Sequence, residues 1–251
     1  MLYTLIFYRC YYIIFKEKKR NEKENGGINM SFIVAIDGPA GSGKGTVTKK
    51  VEERMGLISI DTGAMYRCVT LYMLRNNIGL DEISKIEEML NKIDINLTKE
   101  DGIPKFYLDG EDVSKQIREK EVNEFVSQVS HIPVVRENMV NLQRKMAIGK
   151  RVIMEGRDIG TNVFPNADVK IYLDATAEER ANRRYKQNME QGITNISYEE
   201  ILENVKFRDH NDKTSTVAPL KQAEDAIYID SSNLTIEEVV EKITTIIKEK
   251  E

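Results

Sequence analysis

Gly38-Pro39-Ala40-Gly41-Ser42-Gly43-Lys44-Gly45-Thr46 stands between a short apolar run, Phe32 to Ile36 closed by Asp37, and a segment from Lys44 to Met55 with helical spacing of its apolar residues. Strand, glycine loop and helix in that order make an anion cradle. Glycines let successive backbone N–H groups turn inward, the helix N-terminus adds its positive end, and Lys44 can reach outer phosphates. The same alternation continues outward. Leu57 to Ile60 precedes a helical stretch from near Thr62. Arg151 to Met154, Val169 to Leu173 and Ala226 to Ile229 read as further strands, with helices over Glu178 to Glu190, Tyr198 to Arg208 and Ile236 to Lys248. This pattern predicts an α/β fold with a parallel sheet covered on both faces. From Ile93 to Val113 the rhythm breaks into a hairpin insert turning at Asp101 and Gly102.

The phosphate loop alone does not separate a switch GTPase, a motor and a small-molecule kinase. Asn91-Lys92-Ile93-Asp94 imitates a guanine-reading motif, but it lies beside the hairpin with no accompanying Asp-x-x-Gly switch, and reads as a decoy. Two other segments are more telling. Asp61-Thr62-Gly63-Ala64-Met65-Tyr66-Arg67 and Glu155-Gly156-Arg157-Asp158-Ile159-Gly160-Thr161 each follow a strand, at the carboxyl ends where open α/β sheets bind ligands. Arg67 and Arg157 there are expected to clamp an acceptor that is itself a phosphate ester.

Composition sets the outer limits. The 251 residues are 41% hydrophobic and 31% charged, which excludes disorder and coiled coil. The net charge of −4 provides no positive field for a nucleic-acid backbone. Two cysteines, Cys10 and Cys68, are too few for a disulfide framework, and a reducing cytoplasm is expected. Residues 1–29 hold six of the eighteen Tyr and Phe residues, then a basic stretch from Lys16 to Lys23. Their apolar run, Leu2 to Phe15, is short for a membrane span and carries Arg9. The expectation is a natural start at Met30, with 1–29 outside the fold; an interfacial amphipathic anchor is the alternative. Six basic and three acidic residues precede Met30, so the body at 30–251 carries −7. A cytoplasmic monomer with no nucleic-acid partner and no stable membrane association is expected.

From about Met30 to its end the chain resembles the bacterial cytidylate kinases, P-loop nucleoside monophosphate kinases. The strings that carry the likeness are 38 to 46, in its Gly-Lys-Gly-Thr form, 61 to 67, 155 to 161, Val126-Ser127-Gln128-Val129, Val163-Phe164-Pro165 and Ala218-Pro219-Leu220. The resemblance implies a five-stranded parallel core flanked by helices, an acceptor-binding insert at about 89–120 and a mobile lid at about 185–220. It implies transfer of the ATP γ-phosphate to CMP or dCMP with Mg²⁺, Gly38 to Thr46 holding ATP and Thr46 touching the ion. It places Thr62, Arg67 and Arg157 around the acceptor phosphate, and Ser127, Arg136 and Asp158 around the cytosine. Arg208 and Asp212 fall in or next to the lid, with Asp212 toward the acceptor.

Arg180 and Arg184 lie four apart on one helix face and resemble donor-site arginines; the alternative is exposed charges paired with Glu178 or Glu179. Lys44, Arg157, Arg184 and Arg208 are the expected catalytic charges. The lid departs from the family pattern at Ser215, where an arginine is expected; Lys213 or Lys221 would restore its charge but not its two-pronged geometry. His131 and His210 stand alone and read as structural or solvated. An acceptor phosphate with its second pKa near 6 is already ionised at neutral pH, so no general base is needed. Competing readings are a kinase for UMP or another monophosphate, a nucleotide-binding module without transfer, and an interaction protein tethered through 1–29.

Overall fold

The computed structural model describes residues 31–251 apart from 191, 193 and 195. The 1–29 segment and the start at Met30 lie outside these residues. Phe32–Asp37 forms β1, and its alternation decides where it sits. Val34 and Ile36 face one apolar layer while Ala35 faces another, all fully buried, so β1 must be covered on both sides. It is the middle of a five-stranded parallel sheet in the order β2-β6-β1-β7-β8, where β2 is Ile58–Asp61, β6 Arg151–Gly156, β7 Val169–Asp174 and β8 Ile227–Asp230.

One face is closed by α1 (Lys44–Met55) and α8 (Ile236–Lys248), whose Val47, Val51, Val240 and Ile243 pack on Ile36 and Ile153. The other face carries α2 (Thr62–Arg75), α3 (Ile83–Leu90), α4 (Lys120–Ser130) and α5 (Pro133–Met146) around Met65, Val69 and Met139. The sequence pattern does not predict α3, ahead of the hairpin, or α4 and α5, between the hairpin and the third core strand. The hairpin itself, β3 (Ile95–Glu100) and β4 (Ile103–Leu108), turns through the left-handed pair Asp101 and Gly102 and adds a two-residue strand, β5 (Glu111–Asp112). The guanine-motif mimic serves as its entry: Lys92 pairs with Glu88, and Asp94 and Asp109 exchange two hydrogen bonds.

Past β7, α6 (Ala177–Glu190) and α7 (Tyr198–Thr214) lie together over the carboxyl ends of the strands. α7 runs beyond Arg208, so Asp209 and Asp212 are helical. Its last two turns carry no apolar period because ion pairs hold them. Among the described residues no helix is long and apolar enough to cross a membrane.

Candidate active site

The phosphate loop is fixed by contact with the sheet. A Cβ on Gly38 would lie 2.0 Å from the carbonyl oxygen of Leu173, the penultimate residue of β7, so only glycine fits. Lys44 curls back, donating from Nζ to the carbonyls of Gly38 (2.8 Å) and Pro39 (2.7 Å) and to Ser42 Oγ (3.3 Å). Burial, aided by the charge of Arg157, pulls its pKa down to about 7.

Gly45 has a steric explanation: a Cβ there would lie 3.2 Å from Glu155 Oε1 at the end of β6. The hydroxyl position therefore passes to Thr46, which is exposed on the first turn of α1. Burial raises the Glu155 carboxyl to about 7, with Asp61 adding and Lys44 and Arg157 opposing. Thr46 and Glu155 flank Gly45 with hard oxygen donors of the type Mg²⁺ takes, so these residues fit the ion. Among the described residues no group of three or more His, Cys, Asp or Glu is placed to hold a metal alone, and substrate phosphates must complete such a site.

Two helix starts and one turn build the facing half. Asp61 caps α2 by accepting from Ala64 N–H, and Thr62 Oγ1 donates to the Glu155 carbonyl at 2.8 Å, joining the ends of β2 and β6. Arg67, one turn along, donates to Asn123 Oδ1. Burial holds it below the usual guanidinium range, with Arg118 and Arg157 adding to that and Asp61 opposing. Asp158 is buried and ion-paired with Arg136 from α5, and it also accepts from Asn162 Nδ2 at 2.9 Å. Ser127 is exposed on α4. Arg157 donates from Nε to Asp212 Oδ2 at 2.8 Å, so α7 reaches the turn after β6 directly. Arg208 stays below the usual guanidinium range through lost hydration within the cleft and then through Arg157, with Arg67 and Arg184 adding, although water still reaches the side chain.

Family comparison settles the relationship: the model for cytidylate kinase matches residues 34–249. The chain belongs to the cytidylate kinase family. A protein of Fusobacterium nucleatum subsp. nucleatum named cytidylate kinase is 52% identical over 85% of this chain and 96% of its own. Those of Caldicellulosiruptor bescii and Lactobacillus johnsonii, also so named, are 51% and 47% identical, over 84% and 90% of this chain and 92% and 97% of theirs.

Within this cytidylate kinase architecture the two α6 arginines part company. Arg180 is 4% exposed and donates to the carbonyls of Ala175 (2.9 Å) and Ala40 (3.1 Å). It also grips Asp209 of α7 with two bonds, 2.8 and 2.5 Å. In this structure its donors are taken by protein acceptors, and it pins α7 to the phosphate loop. Arg184 is exposed, near Arg208, and bonded to Gln187. Neither pairs with Glu178 or Glu179; Arg183 takes Glu179 instead. Arg183, which the sequence reading passed over, also donates to the carbonyls of Ser42 (3.3 Å) and Ser231 (2.7 Å), and its place on the Arg180 face was the available signal. Asp37, Glu155 and Asp209 were likewise given no role. Ser215 ends α7, its Oγ accepting from Val217 and Ala218 N–H, while Lys213 and Lys221 are exposed.

Proposed function

We propose that the protein transfers the γ-phosphoryl group of ATP to CMP or dCMP, giving ADP and CDP or dCDP. The observation that carries this is the junction at the end of β6. There Glu155 borders the phosphate loop, while Arg157 and Asp158, past Gly156, reach Asp212 of the lid helix and Arg136 of the acceptor side. Donor and acceptor groups thus meet within four residues.

The loop from Gly38 to Gly43, Pro39 excepted, holds the donor phosphates through backbone N–H groups, and Lys44 leaves its loop carbonyls for phosphate oxygens. Arg67 and Arg157, with the Thr62 hydroxyl, hold the acceptor phosphate. Its reacting oxygen is already ionised, so the side chains orient it and neutralise charge rather than remove a proton. Asp158, ion-paired with Arg136, accepts from the N4 amino group of cytosine and repels the oxygen of uracil at that position. Ser127 contributes from α4. Asp212, Arg184 and Arg208 enter from α6 and α7, and their closure excludes water. Thr46 and Glu155 would hold Mg²⁺, which would supply charge neutralisation on the donor phosphates when bound.

In this reading the insert at about 89–120 covers the acceptor and the segment at about 185–220 the donor. The protein acts as a cytoplasmic monomer without nucleic-acid or membrane partner. The deciding experiment is ADP release with CMP, dCMP, UMP and AMP in turn: CMP or dCMP is expected to lead UMP by about tenfold or more in kcat/KM. A leading UMP or AMP would replace the acceptor, and no release with any would leave a binding module.

A further inference from the structure

The turn that follows Asp158 is a π-helix, Ile159–Val163, in which the N–H of Val163 reaches back to the carbonyl of Asp158. Such wide turns are rare and cluster at functional sites. Like any helix start, this one leaves its first N–H groups without partners inside the element. Ile159 and Gly160 are both buried, so water does not meet that demand. Asp37 does: Oδ1 accepts from Ile159 N–H at 2.8 Å and Oδ2 from Gly160 N–H at 2.7 Å.

Asp37 is therefore a carboxylate 5% exposed, fully used by two backbone groups more than a hundred residues away, and immediately followed by Gly38. Gly38 is locked against Leu173. The phosphate loop is thus fixed on one side by the sheet; the β1–β6 ladder runs up to Asp37 and Gly156, and beyond it the Asp37 side chain carries the tie on to Ile159 and Gly160 of the acceptor turn. A Cβ at Gly160 would lie 3.3 Å from Asp37 Oδ2 and 3.2 Å from Lys170 Cδ, so the junction has no slack. A carboxylate suits it because both oxygens accept. An amide would present donors to one of the two N–H groups and leave it buried without a partner.

We propose that Asp37 is a positioning residue for the acceptor, holding the Arg157–Asp158 turn in register with the phosphate loop and so setting acceptor affinity and base discrimination. This rests on the CMP reading above. A merely structural Asp37 would lower stability and leave the balance between the two substrates alone.

The test is Asp37→Asn in the full-length protein, with KM for CMP and for ATP, the CMP to UMP ratio of kcat/KM, and a thermal melt. KM for CMP is expected to rise about tenfold, KM for ATP to stay within about threefold, and the CMP to UMP ratio to fall about fivefold. A parallel rise in both KM values, or a lower melting temperature with unchanged kinetics, would overturn the proposal. If Asp37→Asn does not fold, Gly160→Ala strains the same junction from the other side and must show the same split at smaller amplitude; KM values for CMP and ATP that both match the parent, or that rise together, refute it. If the parent does not phosphorylate CMP, the functional reading fails. The same comparison, made with the monophosphate it does accept, still decides the role of Asp37.

Discussion

Asp212 accepts the Nε–H of Arg157 at 2.8 Å, so a carboxylate of α7 holds the guanidinium proposed above for the acceptor phosphate. One turn earlier Asp209 grips Arg180 beneath the phosphate loop. The two acid–arginine pairs lie three residues apart on α7 and tie it to the two halves of the site. They differ in burial: Arg180 and Asp209 are 4% and 16% exposed, Arg157 and Asp212 30% and 17%.

That difference makes the pairs unequal under mutation. Asp209→Ala leaves a buried guanidinium without its counter-charge and is expected to cost about 3–5 kcal/mol. Asp212→Ala leaves Arg157 partly hydrated and is expected to cost about 1 kcal/mol or less. Denaturant melts of both variants check the order; equal losses would mean that Asp209 does not anchor the lid.

Lys44→Ala and Arg157→Ala each remove charge stabilisation formed mainly in the transition state. Turnover is expected to fall about a hundredfold or more with the far-UV CD spectrum unchanged. Activity within tenfold of the parent would remove that residue from the chemistry.

Asp158→Asn converts an acceptor into a group that can donate to uracil. Activity on CMP is expected to fall about tenfold or more and the gap to UMP to narrow. The paired kcat/KM values check it, and an unchanged ratio would move base recognition elsewhere.

Gly45→Ser would place a Cβ 3.2 Å from Glu155 Oε1 and push that carboxylate aside. A loss of about tenfold in kcat/KM for ATP is expected, and the double variant Gly45→Ser with Glu155→Asp should recover part of it because the shorter acid yields the space. A double variant no better than the single would show that the serine acts elsewhere.

The sheet was legible because its signals are local. In β1 the buried residues alternate between two apolar layers, and glycine and Lys44 mark the start of α1. The site motifs were legible for the same reason, being short strings at strand ends. The far half of α7 was not: Ile201 is its one fully buried residue, and its partners Arg180 and Arg157 lie 29 and 55 residues away. Asp37 was hidden in the same way, since nothing near it in the chain announces the two N–H groups it serves across more than a hundred residues.

Gly38 rests directly on the carbonyl of Leu173, which gives the phosphate loop the stiffness of the central strands rather than that of a surface turn. The donor half of the cleft is a floor. The closure proposed for α7 lies above it, and the Arg157–Asp212 and Arg180–Asp209 pairs that attach this helix can part and re-form without breaking a backbone ladder. Adaptation to different nucleotides therefore belongs to the roof, and sequence change that retunes the enzyme can accumulate there without disturbing the surface on which phosphate is handled.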